Sequence, residues 1–166
     1  MIFNASQLLR EHPGSTREYD LDPEPPVHRG HVVLMRTPEG VLVSGEIDVV
    51  LEAECARCLT PFGYPVRLRL EETFFQQVDV ETGLRIDTGA REGDFLIGLD
   101  HTIDIREAVR QYSVMAAAMQ PLCRPDCPGL CPECGQDLSV EDCGCDRSRI
   151  DPRWSVLAVL KQRLDG

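Results

Sequence analysis

Apolar and polar positions change rhythm several times along this chain. Residues 31–36, 41–54 and 64–75 are rich in Val, Leu, Ile and Phe, and Val66-Arg67-Leu68-Arg69-Leu70-Glu71 alternates strictly. Alternation sends every second side chain to one face, as in a half-buried strand. Thr37-Pro38-Glu39-Gly40, between the first two runs, predicts a hairpin turn. The three runs predict an antiparallel sheet or small open barrel. Before them, residues 4–11 predict a short helix, and Asp22-Pro23-Glu24-Pro25-Pro26 predicts a stiff loop. After them, residues 79–94 carry glycines and acids with few large apolar groups, and predict a mobile acidic loop.

The period then lengthens. Ile105, Ala108, Val109, Tyr112, Met115, Ala116 and Met119 recur at helical spacing, Asp104 and Glu107 have capping-box spacing, and Pro121 ends the run. These residues predict a helix over 104–119 whose methionines fill the core. Residues 123–145 hold little apolar material beyond Leu130, Leu138 and Val140, so something other than a hydrophobic core must hold them. Asp151-Pro152-Arg153-Trp154 reads as an N-cap with proline at the first helical position, ahead of Val156, Leu157, Val159, Leu160 and Leu164. The predicted organisation is α+β: a mixed β/α core over residues 1–120, a cysteine module over 121–150, and a closing helix over 151–166 packing back on the core.

Composition adds the compartment and the sign of the partner. At 166 residues the chain can bury a core without disulfides. The N-terminal residues lack the basic start and apolar stretch of a secretory signal, and no segment reaches membrane-spanning length. A cytoplasmic location is expected, where clustered cysteines bind metal or do redox work rather than form bridges. The formal charge is -11, the wrong sign for a nonspecific nucleic-acid coat. All basic residues but Lys161 are arginines. The dense basic candidates for partner contact are Arg67 and Arg69, alternating on one strand face, and Arg147, Arg149 and Arg153 near the C-terminus.

The eight cysteines carry the chemistry. Cys131-Pro132-Glu133-Cys134-Gly135 has the form of a zinc knuckle: the proline shapes the turn, the glycine accepts positive φ, and backbone amides can point at the thiolates. With Cys143-Gly144-Cys145 across a short loop it makes a first tetrahedral quartet. Cys55-Ala56-Arg57-Cys58 and Cys123-x3-Cys127 remain, and together complete a second, which would clip the tail to the sheet. Cys127 lies close enough to Cys131 and Cys134 in the chain to exchange roles. Arg57, Arg124, Arg147 and Arg149 either offset the charge of four thiolates or are solvated; the sequence leaves both open.

Rival chemistry is weaker. Cys55-x-x-Cys58 could serve thiol exchange, but Leu59-Thr60-Pro61-Phe62-Gly63 after it is turn chemistry, whereas redox motifs open a helix. A catalytic zinc keeps an open position with His or carboxylate among its ligands, and His12, His28, His31 and His101 have no ligand spacing to a cysteine pair. No phosphate loop or Ser-His-Asp set stands out, and no catalytic activity is expected. A zinc ribbon binding nucleic acid in transcription would need a basic stripe with interleaved aromatics, yet aromatics are 5%.

In order, the chain presents C-x-R-C-L at 55–59, then Cys123-x3-Cys127-Pro128-Gly129-Leu130-Cys131-Pro132-Glu133-Cys134-Gly135-Gln136-Asp137-Leu138, then C-x-C, then Asp151-Pro152-Arg153-Trp154-Ser155-Val156-Leu157. From Val41 onward this resembles the YceD family of large-ribosomal-subunit RNA accumulation proteins. The resemblance implies a bacterial or plastid factor supporting accumulation of the large-subunit (23S) ribosomal RNA, without catalysis, and the cysteines add the expectation of structural zinc, one or two ions per chain. The implied partner is precursor ribosomal RNA or a basic large-subunit protein, and the sequence leaves the two open.

Overall fold

A computed structural model describes residues 1–87, 93–146 and 153. Two compact units divide the chain, Met1–Ala53 with Phe62–Met119, and Glu54–Pro61 with Gln120–Gly166. Among the described residues no helix is long and apolar enough to cross a membrane.

The first unit is mostly sheet. Its strands are β1 (Ile2–Asn4), β2 (Thr16–Leu21), β3 (Val27–Arg36), β4 (Gly40–Glu54), β5 (Pro61–Phe75), β6 (Phe95–Leu96) and β7 (Thr102–Asp104), with helices α1 (Ser6–Leu9) and α2 (Arg106–Ala116). The last residue of β4 and the first of β5 belong to the second unit, which is thus fed by the β4–β5 connection. Five strands form one sheet in the order β2-β3-β4-β5-β6, and β1 pairs with β7 in a separate two-stranded sheet. Strands β2, β3 and β4 run antiparallel, but β6 joins β5 in parallel through Phe74 and Phe95. The parallel β6 corrects the expectation that the sheet is antiparallel throughout, and the sheet does not close into the alternative barrel.

Alternation explains the sheet's two faces. Val41, Val43, Ile47 and Val49 of β4 and Leu68, Leu70 and Phe74 of β5 are buried, while Glu46, Arg67, Arg69 and Glu71 face solvent. The hairpin predicted at 37–40 closes through Thr37 N–H donating to the Gly40 carbonyl at 3.0 Å and Gly40 N–H returning to Thr37 at 3.3 Å. Strand β2 was not legible in the alternation of large apolar groups, since only Tyr19 and Leu21 supply them. Its register is fixed by β3, from Thr16 opposite Met35 to Leu21 opposite Gly30.

Leu8 and Leu9 of α1, and Ile105, Ala108 and Val109 at the start of α2, share one buried cluster with the strands. Helix α2 departs from expectation at both ends. Ile105 is its N-cap, without a side-chain cap bond, so no capping box forms. Asp104 instead accepts the Arg106 N–H at 3.0 Å, and Glu107 pairs with Arg110 at 2.7 Å. The helix ends at Ala116, and the two methionines expected in the core are exposed, Met115 at 70% and Met119 at 99%. Burial stops at Tyr112 because the apolar stripe outruns the part of the helix facing the core. The described part of the expected acidic loop, residues 79–87, closes as a turn in which Asp79 accepts the N–H of Glu81 at 3.0 Å and of Thr82 at 2.7 Å. Apart from Arg153, the closing helix expected over 151–166 lies outside the described residues, as do Arg147 and Arg149.

Candidate metal centres

Two short cysteine turns in the second unit have the same backbone construction. Cys55 N–H donates to the Thr60 carbonyl at 3.0 Å, and Leu59 N–H to the Cys55 carbonyl at 2.9 Å. Cys131 N–H donates to the Gln136 carbonyl at 2.8 Å, and Gly135 N–H to the Cys131 carbonyl at 2.8 Å. Donor and acceptor offsets are identical in the two turns. Each has positive φ immediately after its second cysteine, 61° at Leu59 and 75° at Gly135. Glycine adopts that conformation freely, whereas leucine does so at a cost, so the turn geometry at Leu59 is imposed by its surroundings. This construction aims amide N–H groups at the first sulfur: Arg57 and Cys58 toward Cys55, Glu133 and Cys134 toward Cys131.

Cysteines distant in sequence complete each turn. Cys55, Cys58, Cys123 and Cys127 form one cluster and Cys131, Cys134, Cys143 and Cys145 the other, all sulfurs of a cluster lying within 4.8 Å of one another. In the first, Cys55 and Cys127 sulfurs are 3.8 Å apart, as are those of Cys58 and Cys123. A disulfide needs about 2.05 Å, whereas four sulfurs placed tetrahedrally about a metal at ~2.3 Å lie about 3.8 Å from one another. The donor set therefore fits a tetrahedral metal ion in size and chemistry, with no carboxylate or imidazole in either cluster.

Electrostatics point the same way. Four thiols this close cannot all ionise without a cation, and their proton affinities separate. Backbone N–H groups of Cys123 and Cys58 hold Cys55 down to about 6, while desolvation and then the Cys55 sulfur push Cys123 up to about 12. In the second cluster the N–H groups of Cys134 and Glu133 hold Cys131 at about 7, and the sulfurs of Cys143 and Cys134 push Cys145 up to about 12. A divalent ion would displace the remaining protons and satisfy all four sulfurs.

The first cluster is tied together by more than sulfur. Ala56 N–H donates to the Pro121 carbonyl at 2.8 Å, Leu130 N–H to the Arg57 carbonyl at 3.1 Å, and Arg57 Nη1 to the Cys127 carbonyl at 2.8 Å. Arg57 thus acts as a clamp between chain segments, a role its sequence position does not disclose. Gly129, at φ 78°, allows the close approach, since a Cβ there would meet the Arg57 carbonyl oxygen at 3.1 Å. Thr60 Oγ1 lies 3.3 Å from the Cys58 sulfur and favours its thiolate; this contact also escaped the sequence reading, although a hydroxyl two residues after a cysteine was its visible signal.

The basic residues are largely committed to the chain's own acids. Arg67 and Arg29 both bind Asp48 at 2.7 Å, holding its carboxyl at about 2, and Arg67 and Arg69 approach Glu46 at 3.9 and 3.5 Å. Arg17 pairs with Glu11, Arg106 with Asp104, Arg110 with Glu107, and Arg124 faces Asp126 at 3.7 Å. Arg153 also has an interaction partner. His31 sits 2.9 Å from Asp20 and belongs to neither cysteine cluster.

The chain thus combines an open sheet with two four-cysteine clusters that could each hold a metal ion. The family model described as large ribosomal RNA subunit accumulation protein YceD matches residues 43–161, and the chain belongs to that family. It is similar to an uncharacterized protein of Mycobacterium tuberculosis, 40% identical over 122 residues that cover 74% of this chain and 56% of the relative. It is also similar to an uncharacterized protein of Mycobacterium leprae, 35% identical over 124 residues, covering 74% of this chain and 54% of the relative. The chain thus spans about half the length of the curated relatives it matches. No solved structure matches it.

Proposed function

We propose that this protein is a non-enzymatic cytoplasmic factor of bacterial ribosome biogenesis that supports accumulation of 23S ribosomal RNA. It holds two structural zinc ions and acts through a basic large-subunit protein or a particle containing one. Membership of the YceD family carries the ribosomal part of this reading. Clusters of four sulfurs, enough to fill a tetrahedral shell, favour zinc used for structure rather than catalysis. The burial of Cys55, 0% exposed, argues against the thiol-exchange alternative, which needs an accessible attacking sulfur.

The choice of a protein partner over bare RNA rests on charge. Phosphate binding gains affinity by releasing counterions where cations face the strand. Here the chain carries -11, and Arg67 and Arg69, the candidate contact cations on β5, already face Asp48 and Glu46. The expected result is weak affinity for naked ribosomal RNA and a salt-sensitive affinity for a basic large-subunit protein, read by titration at two salt concentrations. Tight binding to bare RNA, abolished when Arg147, Arg149 and Arg153 are replaced together, would overturn the protein-partner choice. Element analysis of fresh protein should find two zinc ions per chain.

A further inference from the structure

The two cysteine quartets differ in access to solvent. In the first, Cys55, Cys58 and Cys127 are 0%, 6% and 1% exposed, and only Cys123 lies open. In the second, Cys131 alone is buried; Cys134 is exposed, and Cys143 and Cys145 are half-buried. Backbone bonding differs in the same sense. The first quartet is laced across chain segments by Ala56 to Pro121, Leu130 to Arg57 and Arg57 to Cys127. Among the described residues, Cys143, Gly144 and Cys145 make no backbone–backbone hydrogen bond to the Cys131–Gly135 turn; the local tie is Gly144 N–H to the Asp142 carboxylate at 3.3 Å. Sulfur–metal bonds would then join this pair to the Cys131–Gly135 turn, while Asp142 and Asp146 beside it have interaction partners of their own.

We propose that Cys131, Cys134, Cys143 and Cys145 form a peroxide-sensitive zinc site that opens by thiolate oxidation, while the Cys55, Cys58, Cys123 and Cys127 site stays closed. This rests on the zinc reading above. Exposed Cys134 gives hydrogen peroxide its point of attack: the thiolate displaces one oxygen as hydroxide, forming a sulfenic acid, and a second thiolate displaces the other to form the S–S bond. Two sulfurs lose two electrons in all, the O–O bond takes them, and two protons from solvent complete two waters. A second peroxide oxidises the remaining pair in the same way, and Zn²⁺ leaves as the hydrated ion. Sulfurs within 4.8 Å reach bonding distance by moving under about 3 Å. The loop between Leu130 and Cys145 buries little apolar surface, Val140 being 80% exposed, and its bonds over residues 129–141 are largely local turn bonds such as Leu138 N–H to the Gly129 carbonyl and Val140 N–H to the Asp137 carbonyl. Oxidation therefore releases the Cys143–Cys145 pair from the Cys131–Gly135 turn, while the sheet keeps its own core.

The test uses the full chain with its zinc counted beforehand. Hydrogen peroxide is added, zinc release is followed with a chromogenic chelator, and remaining thiols are alkylated and mapped by mass spectrometry. One zinc equivalent should leave at least about tenfold faster than the other, because the closed site must open before it reacts. Disulfides should appear first among Cys131, Cys134, Cys143 and Cys145, and thiol reductant with zinc should reverse them. The double variant Cys143→Ser, Cys145→Ser should lack the fast phase and keep the slow one; if it does not fold, the wild-type mapping decides alone. Two ions leaving at one rate, or Cys55 and Cys127 oxidised first, would sink the proposal and leave the zinc reading standing. Fresh protein that neither contains nor takes up zinc would overturn both.

Discussion

Gly45 offers a test in which pattern and packing give opposite signs. It sits in the middle of β4, where glycine lacks a side chain to pack and raises the entropy cost of folding. On those grounds Gly45→Ala should stabilise by about 0.5–1 kcal/mol. The structure reverses this. Gly45 lies opposite Val32 of β3, and a Cβ there would fall 2.2 Å from the His31 carbonyl oxygen and 2.8 Å from Val32 Cα, both backbone atoms with no freedom to swing away. Carbon and oxygen normally rest at about 3.3 Å, so β3 and β4 must part locally by roughly 1 Å. That takes neighbouring ladder bonds beyond hydrogen-bonding range, at a net cost of about 1 kcal/mol each, and disturbs the packing of Val32, Val43 and Ile47. After the entropy gain, a net loss of about 2–3 kcal/mol is expected, within the usual range for overpacking. For a chain of this size it corresponds to a fall in Tm of about 5–10 °C. The assay is thermal and urea unfolding followed by circular dichroism on zinc-loaded protein, with Gly63→Ala as control. There the added Cβ meets the half-exposed Val50 side chain at 3.1 Å and the Leu51 carbonyl oxygen at an ordinary 4.0 Å, and the expected change is within about 0.5 kcal/mol. Gly45→Ala melting at or above wild type would refute the close approach of the two backbones.

Two further outcomes follow from local geometry. Leu59→Gly should be neutral to stabilising by up to about 1 kcal/mol despite removing a large side chain, because it relieves a positive φ at a residue 58% exposed; Leu59→Val should destabilise, and chelator competition should rank the three proteins' zinc retention in the same order. Asp48, held at about 2 by Arg67 and Arg29, lies below its ordinary unfolded value near 3.9, so its ion pairs add stability fully above about pH 4 and lose it as pH falls through about 2. Wild type should therefore exceed Asp48→Asn in urea midpoint at neutral pH, with the gap closing between about pH 4 and pH 2 and shrinking in high salt; a pH-independent gap would contradict the pairing.

The cysteine knuckles and the central strands were legible because both are local. Cysteines with two residues between them, followed by a residue at positive φ, define a turn within six residues, and strict alternation over 66–71 defines which side chains of β5 face inward. Other features depend on partners far away in the chain. Thr16–Leu21 is a strand because β3 presents an edge in register, and Phe95–Leu96 is one because Phe74 stacks on Phe95 with ring centroids 5.2 Å apart. The helical period of α2 runs past Tyr112, but only the packing surface decides where burial stops, leaving Met115 and Met119 in water. The same division runs through the cysteines. Spacing alone determines that each pair can clasp a metal; which pairs share one, and which quartet lies closed beneath the Arg57 clamp and which lies open, is decided by tertiary structure, because both depend on backbone bonds between segments some seventy residues apart.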